Sequence, residues 1–267
     1  MSELTELLIT PAPQLERVAL AIVHDEYHRV NDRRLFAELD RLAEPLLRSA
    51  TAASTLAERV ERLRVHVYDV LGFSGADTPD DPRLSYLTDV LERRLGSVVS
   101  LALVLLLIGS RAGLRLACIG FPGHFLVRAG RPDELYLDPF DRAALLDRRG
   151  LEQLLFRLHG SRSLAPEHLA VVGAREIALA LLGDLKRAHQ ARRDHARAMV
   201  VCDRLVDLTK APRHFRDRGL HAFALGAYQA AVADLVRYLT DRPEADDAAK
   251  VRTLLDEALA RAERPAH

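Results

Sequence analysis

The residues from Leu95 to Asp141 hold the features that decide the fold of this 267-residue chain. They read Leu95-Gly-Ser-Val-Val-Ser-Leu-Ala-Leu-Val-Leu-Leu-Leu-Ile108, then Gly120-Phe-Pro-Gly-His-Phe-Leu-Val-Arg128, then Tyr136-Leu-Asp-Pro-Phe-Asp141. Between Val98 and Ile108 the only polar side chain is that of Ser100. This segment is much shorter than the roughly 20 apolar residues that span a bilayer. A helix that is apolar on every side is typical of a protein core, so we predict a buried central helix here.

The start of this helix is marked by Gly96, which ends the preceding helical pattern, and by Ser97. A serine hydroxyl at the N-cap accepts a hydrogen bond from a free backbone amide, so Ser97 is the predicted cap. Ser100 then lies in the first helical turn, near the positive end of the helix dipole.

A β-hairpin is predicted after this helix. Residues 114–120, 124–128 and 136–138 have strand character, and Ala129-Gly-Arg-Pro-Asp133 is a turn-forming run. A turn centred near Arg131 pairs His124 with Asp138, and directly opposed residues share a face of the sheet. Ser100, His124 and Asp138 are therefore the candidate nucleophile, base and orienting carboxylate of a catalytic triad.

These motifs resemble the transglutaminase-like proteins of the bacterial SirB-one type, whose core segment also occurs in some eukaryotic F-box proteins. The matching residues are Leu91–Gly96, Ser100-Leu101, Gly113-Leu114, Gly120–Arg128, Asp138–Phe140 and, upstream, Gly72–Gly75. The resemblance implies an α+β fold that is mostly helical, with a transglutaminase-like (papain-like) core and a small antiparallel sheet. It also implies a C-terminal segment of tetratricopeptide-like (TPR-like) repeats.

The residue at position 100 decides the functional prediction. True transglutaminases and their cysteine-protease relatives carry a cysteine at the start of the central helix, whereas this chain has Ser100. A helix N-terminus and a protonated histidine convert a thiol into a resident thiolate, but a serine hydroxyl stays protonated near neutral pH. We therefore predict an interaction or regulatory protein with a degenerate pocket, a pseudoenzyme.

Two catalytic alternatives stay open. In the first, the chain is a serine-dependent hydrolase or acyltransferase that acts on amide or ester bonds through Ser100, His124 and Asp138. In the second, amidase chemistry is vestigial and is regained by Ser100→Cys. Cys118 lies in a strand-like apolar run, where burial raises the pKa of a thiol, so it is predicted to be structural.

Composition narrows the remaining function classes. The 38 basic and 38 acidic side chains balance, so the chain lacks the basic footprint of a nucleic-acid binder. The two cysteines, in separate segments, indicate a reducing compartment, and the cytoplasm is the expected location. His24 and His28 are four residues apart, a spacing that places two metal ligands on one face of a helix, but no third ligand lies nearby in sequence. No metal, cofactor, nucleic-acid or membrane partner is predicted.

The rest of the chain is predicted to be helical and divides into three segments. Residues 1–92 form an N-terminal helical layer, with helices over 13–30, 32–47, 54–70 and 86–95. Residues 93–160 form the transglutaminase-like core, which a helix over 142–158 closes. Residues 166–267 form TPR-like repeats docked on the core, which we expect to bind a protein or peptide partner. Gly219, Ala231, Leu235, Tyr238 and Pro243 fit the second repeat, because small residues mark close helix contacts and proline ends a helix.

Overall fold

A computed structural model describes residues 2–49, 55–76, 78, 80–130 and 134–263. Residues 6–181 form one compact unit, and residues from 182 onward form a second unit together with the first five. The helices are α1 Glu3–Leu8, α2 Leu15–His24, α3 Asp32–Ser49, α4 Leu56–Arg64, α5 Leu87–Arg93, α6 Val98–Arg111, α7 Arg148–His159, α8 Ala174–Ala191, α9 His195–Thr209, α10 Pro212–Ala224, α11 Tyr228–Asp241 and α12 Ala248–Ala262. The strands are β1 Ser74–Gly75, β2 Leu95–Gly96, β3 Leu116–Ile119, β4 Leu126–Ala129, β5 Leu135–Asp138, β6 Ala144–Leu146 and β7 Val171–Val172.

Helix α6 is the core of the first unit, as the sequence predicts. Every residue from Val99 to Gly109 is buried, because this helix is covered on all sides. α2, α3 and the strands β3 and β4 all pack against it. Ser97 caps the helix, with its side chain accepting a hydrogen bond from the Ser100 amide, so the predicted cap is confirmed. Among the described residues, no helix combines the length and the apolar character that crossing a membrane requires.

The small antiparallel sheet has the strand order β6-β5-β4-β3-β7. Its central hairpin, β4–β5, has a register that differs from the prediction. Val127 pairs with Leu137 and Ala129 with Leu135, so the turn is centred one residue later than Arg131. Residues 131–133 of that turn lie outside the described residues. Because this error shifts the pairing by two residues, each side chain keeps its predicted face.

The predicted helix over 142–158 is wrong in its first part. Residues 144–146 form β6, which pairs with β5, and the helix begins only at Arg148. Arg142 and Ala143 have positive φ values of 51° and 53°, which a right-handed helix does not allow. The side chain of Asp147 then accepts a hydrogen bond from the Gly150 amide at 2.8 Å and caps α7.

The N-terminal helices begin close to their predicted positions, but the one predicted over 13–30 already ends at His24. The helix predicted over 54–70 starts at Leu56 and ends in a π-helical turn, Val65–Val70; its predicted first residue, Ser54, lies outside the described residues. Three short features escaped the prediction, helix α1, the 3-10 turn Pro82–Leu84 and the parallel pairing of β1 with β2. The turn and the strand pair precede α6 in the chain and form part of the site described below.

The second unit consists of successive helices that pack as neighbours, α9 on α10, α10 on α11 and α11 on α12. Ala231, Leu235 and Tyr238 of α11 are buried, as the repeat pattern requires. Gly219 of α10 marks the closest approach, since a Cβ built there would lie 2.9 Å from a methyl carbon of Leu235. Cys202 of α9 is fully buried, as expected for a small apolar side chain.

Candidate functional site

The hydroxyl of Ser100 is engaged with the backbone on its own side of the helix. Its Oγ donates a hydrogen bond to the carbonyl oxygen of Leu84 at 2.6 Å and lies 3.1 Å from the carbonyl oxygen of Ser97. Ser100 is buried, with 1% of its surface exposed. The carbonyl oxygen of Leu84 also accepts a hydrogen bond from the backbone amide of Ser97, with 3.0 Å between nitrogen and oxygen. Ser100 and Ser97 therefore fasten the 3-10 turn Pro82–Leu84 to the start of α6.

His124 and Asp138 form a buried hydrogen-bonded pair. Nε2 of His124 lies 2.8 Å from Oδ1 of Asp138, and the two side chains are 9% and 6% exposed. His124 precedes β4 by two residues, so it faces Asp138 diagonally across the hairpin and not directly. Diagonal neighbours are still within reach of a long side chain, which is why the predicted contact forms in a different register.

The carboxylate of Asp138 is held in its charged form. Burial alone raises the pKa of this carboxyl, but the hydrogen bond and charge of His124, with the amides of Phe140 and Asp141, outweigh it and keep the pKa below its ordinary value. Those amides lie 3.0 and 3.4 Å from Oδ1. An ionised Asp138 accepts a hydrogen bond from Nε2 of His124, which leaves Nδ1 as the second ring nitrogen. No described residue occupies that Nδ1.

The structure brings two of the three predicted site residues together. No hydrogen bond joins Ser100 to His124 in the part of the chain that the structure describes, because the serine hydroxyl points to Leu84. A nucleophile and its base are usually within about 2.6–3.2 Å of each other, although the distance can be looser in a free enzyme. The arrangement can therefore orient a histidine and present one of its nitrogens, without a hydrogen bond to the Ser100 hydroxyl.

Two further side chains hold the Asp138-Pro-Phe140 turn in place. The Tyr68 hydroxyl donates to the carbonyl oxygen of Pro139 at 2.6 Å, and burial, together with the nearby charge of Asp138, raises the pKa of Tyr68. The Phe140 ring covers Gly75 so closely that a Cβ there would lie 2.6 Å from two ring carbons. Sequence reasoning missed both contacts, although Gly75 already belonged to a matching motif.

The remaining candidates take no part in this arrangement. Cys118 is buried in β3, and burial raises the pKa of its thiol to about 12, consistent with a structural role. His24 is hydrogen-bonded through Nε2 to Asp32 at 3.0 Å, and Nδ1 of His28 lies 3.1 Å from the carbonyl oxygen of His24. The described residues contain no group of three or more His, Cys, Asp or Glu side chains that would suit a metal ion.

Comparison with known families accounts for this architecture. Residues 33–183, more than half of the chain, match the family model described as the transglutaminase-like superfamily. The chain belongs to the transglutaminase-like superfamily. Residues 185–256 match the tetratricopeptide repeat model. The resemblance predicted from the motifs is confirmed, and so is the α+β fold with a helical-repeat region after the transglutaminase-like domain.

Similar proteins are found in several bacteria. A UPF0162 protein of Xylella fastidiosa is 35% identical over 247 residues, which cover 89% of this chain and 87% of the relative. The UPF0162 protein PA3419 of Pseudomonas aeruginosa is 30% identical, with 88% and 87% covered. The protein SirB1 of Salmonella typhimurium is also 30% identical, with 79% and 80% covered. Among solved structures, menin overlaps 89% of this chain and 70% of its own at 12% identity, with a TM-score of 0.37, too low to indicate a shared fold.

Proposed function

We propose that this chain is an interaction or regulatory protein whose transglutaminase-like pocket has no working nucleophile and whose TPR region binds a protein partner. The observation that carries the proposal is the hydrogen bond from Ser100 Oγ to the carbonyl oxygen of Leu84, 2.6 Å long and buried. A hydroxyl in this bond fastens a turn to a helix. It does not give its proton to His124.

The chemistry of serine supports the same proposal. A serine nucleophile needs a base to remove its proton during attack, together with prepared donors for the oxyanion. A helix N-terminus lowers the pKa of a thiol enough to form a thiolate, but it does not ionise a serine hydroxyl near neutral pH. The backbone amide of Ser100 already donates a hydrogen bond to the side chain of Ser97, so it is not free to serve as an oxyanion donor.

The TPR region supports partner binding. TPR repeats stack into extended surfaces whose common use is the recognition of peptide segments of other proteins. In this chain α9 to α12 supply such helices, and residues 185–256 match the repeat model. We therefore assign the partner-binding role to this region and a supporting role to the core.

The proposal is tested by labelling the full chain with a fluorophosphonate probe, which reacts with activated serines. Wild type, Ser100→Ala and His124→Ala are compared, with thermal melts to confirm that each is folded and a known serine hydrolase as positive control. We expect no labelling above background in any of the three proteins. Labelling of wild type that disappears in both folded variants would overturn the proposal.

The second candidate function is the serine-dependent hydrolase or acyltransferase, and the His124–Asp138 pair favours it. The pair has the 2.8 Å contact and the free Nδ1 that a catalytic base requires. This candidate requires the Ser100 side chain to leave Leu84 and turn toward His124. It predicts turnover of an activated ester with a pH–rate profile that shifts in Asp138→Asn, and it is rejected if wild type and Ser100→Ala have the same rate.

A further inference from the structure

A cavity of the first unit is lined by none of the residues of the His124–Asp138 pair. Its volume is about 710 Å³, and it is bounded by the loop before α3, the first turns of α3 and one side of α5. None of the residues that line it belongs to the Ser100, His124 and Asp138 set. The cavity therefore needs an explanation that goes beyond the proposed function.

The N-terminus of α3 opens into this cavity. Asn31 caps the helix, because its Oδ1 accepts the backbone amide of Arg34 at 3.2 Å, and both residues line the cavity. α3 is 18 residues long, so its peptide dipoles are well aligned. Such a terminus carries about half a positive charge and favours a bound anion.

The charged side chains of the cavity add to this positive potential. Its lining has three arginines (Arg34, Arg41 and Arg94) against two glutamates (Glu38 and Glu92), an excess of one positive charge. Glu38 pairs with two of the arginines. Its carboxylate accepts two hydrogen bonds from Arg41, at 2.7 and 2.9 Å, and lies 3.5 Å from the guanidinium of Arg94. Arg34 is exposed and its guanidinium has no ion pair with any described residue, so it remains available to a ligand.

The α5 side of the cavity has buried polar atoms without partners. Nη1 of Arg94 and Oγ1 of Thr88 have no hydrogen-bond partner among the described residues. Arg94 is held against the Phe73 ring at 4.8 Å, and burial lowers the pKa of its guanidinium in spite of the nearby Glu38. Arg94, which lines the cavity, is therefore only partly satisfied by Glu38.

We propose that the cavity binds the phosphate group of a small organic phosphomonoester. The excess charge of the lining and the helix terminus, which Asp32 in the first turn partly offsets, make the cavity positive, and a phosphomonoester carries about 1.5–2 negative charges near pH 7. Arginine matches phosphate geometry through paired N–H donors. Leu35 and Leu91, which also line the cavity, give the organic part of the ligand an apolar surface.

The experiment uses the full chain, phenyl phosphate as the probe and isothermal calorimetry at constant ionic strength. Arg34→Ala removes the unpaired guanidinium, and Arg33→Ala is the matched control, because Arg33 precedes it on the same exposed turn but does not line the cavity. We expect saturable binding by wild type that weakens about fivefold or more in Arg34→Ala and less than about twofold in Arg33→Ala, as loss of one charge-assisted contact implies. We also expect inorganic phosphate to compete with the probe, and benzoate, with one negative charge, to bind more weakly than phenyl phosphate.

Three results would overturn the proposal. The first is the lack of saturable binding by folded wild type. The second is equal weakening in Arg33→Ala and Arg34→Ala, which would indicate a general charge effect. The third is binding of phenyl phosphate that inorganic phosphate does not displace, which would mean that the ring and not the phosphate is recognised.

Discussion

The family resemblance predicts that Ser100 stands where cysteine enzymes of this kind carry their nucleophile, and in the structure its hydroxyl donates a hydrogen bond to the carbonyl oxygen of Leu84. Leu84, the partner of that hydroxyl, lies 16 residues earlier in the chain. The capping role of Ser97 could be predicted, because a cap is a local feature. The bond to Leu84 could not, because it depends on how the 3-10 turn folds back onto the helix.

Removal of the Ser100 hydroxyl should lower the stability of the protein. Ser100→Ala loses the short hydrogen bond to Leu84 and two longer contacts with Ser97. The Leu84 carbonyl keeps the Ser97 amide as a donor, so we expect a loss of about 1 kcal/mol in the free energy of unfolding. Urea denaturation at pH 7 measures it. Ser110→Ala is the matched control, an exposed serine on the same helix, where we expect a change within about 0.5 kcal/mol. Equal effects of the two variants would contradict the assigned role.

Asp138 should make the stability of the first unit depend on pH. Its pKa is lowered in the folded protein, so its contribution is present above the unfolded value of about 3.9 and is lost as the pH falls through the folded pKa. We expect wild type to be more stable than Asp138→Asn by roughly 1–3 kcal/mol at pH 7, and this difference to shrink below about pH 4. Urea denaturation of both proteins between pH 3 and 7 measures the difference, and a gap that widens in acid would contradict the assignment.

At the level of elements, glycines mark the places where a helix or strand allows close contact. A Cβ added at Gly219 of α10 would lie 2.9 Å from the Leu235 side chain, whereas a Cβ added at Gly183 of α8 would have no atom within 4 Å. Alanine at both positions gains helix propensity, by about 1 kcal/mol. Only at Gly219 does it also meet a packed neighbour.

These two helical glycines should respond to alanine with opposite signs. We expect Gly183→Ala to raise the free energy of unfolding by about 0.5–1 kcal/mol. Gly219→Ala should lower it by about 1 kcal/mol, because overpacking costs more than the helix gains. Urea denaturation followed by circular dichroism at 222 nm checks both. Stabilisation by Gly219→Ala would show that α10 and α11 do not approach each other as closely as described.

The sheet shows where prediction from sequence ends. The strand character of residues 124–128 and 136–138 predicts the hairpin and its faces, but the predicted turn centre lies one residue early, since a turn-forming run does not fix its own midpoint. The sequence Ala144-Leu-Leu146 predicts the start of a helix instead of β6, because alanine and leucine favour helices. The positive φ angles of Arg142 and Ala143, which prevent that helix, have no signal in those residue types.

At the scale of the whole molecule, a chain of ion pairs joins the helices of the second unit. Asp217 of α10 accepts from Lys186 of α8 at 2.6 Å and from the neighbouring Arg216. Arg216 in turn donates to Asp247 at the start of α12, which also accepts from the Tyr238 hydroxyl of α11. The repeat pattern predicted how these helices follow one another. It gave no sign of the charges between them, because repeat positions are defined by size.

Neutralisation of Asp217 should weaken this unit as a whole. Burial raises the pKa of Asp217, but Lys186 and Arg216 outweigh it and keep the pKa below its ordinary value. Asp217→Asn leaves Lys186, whose side chain is 15% exposed, without its partner, so we expect a loss of roughly 3 kcal/mol at pH 7 that shrinks below about pH 4. Urea denaturation measures it. Asp241→Asn, which breaks an exposed pair with Arg237, is the control and should cost less than about 1 kcal/mol.

The central proposal is that His124 does not activate the side chain at position 100. The most direct test is the reactivity of the thiol that Ser100→Cys introduces. Background alkylation of Cys118 and Cys202 should be low, because both are buried and burial raises the pKa of each thiol to about 12. A thiol that is buried beside Leu84 and has no hydrogen bond to His124 should react slowly with iodoacetamide at pH 6, at a rate that His124→Ala does not change. Fast reaction at pH 6 that His124→Ala abolishes would contradict the account, because it would show that His124 reaches and activates this position.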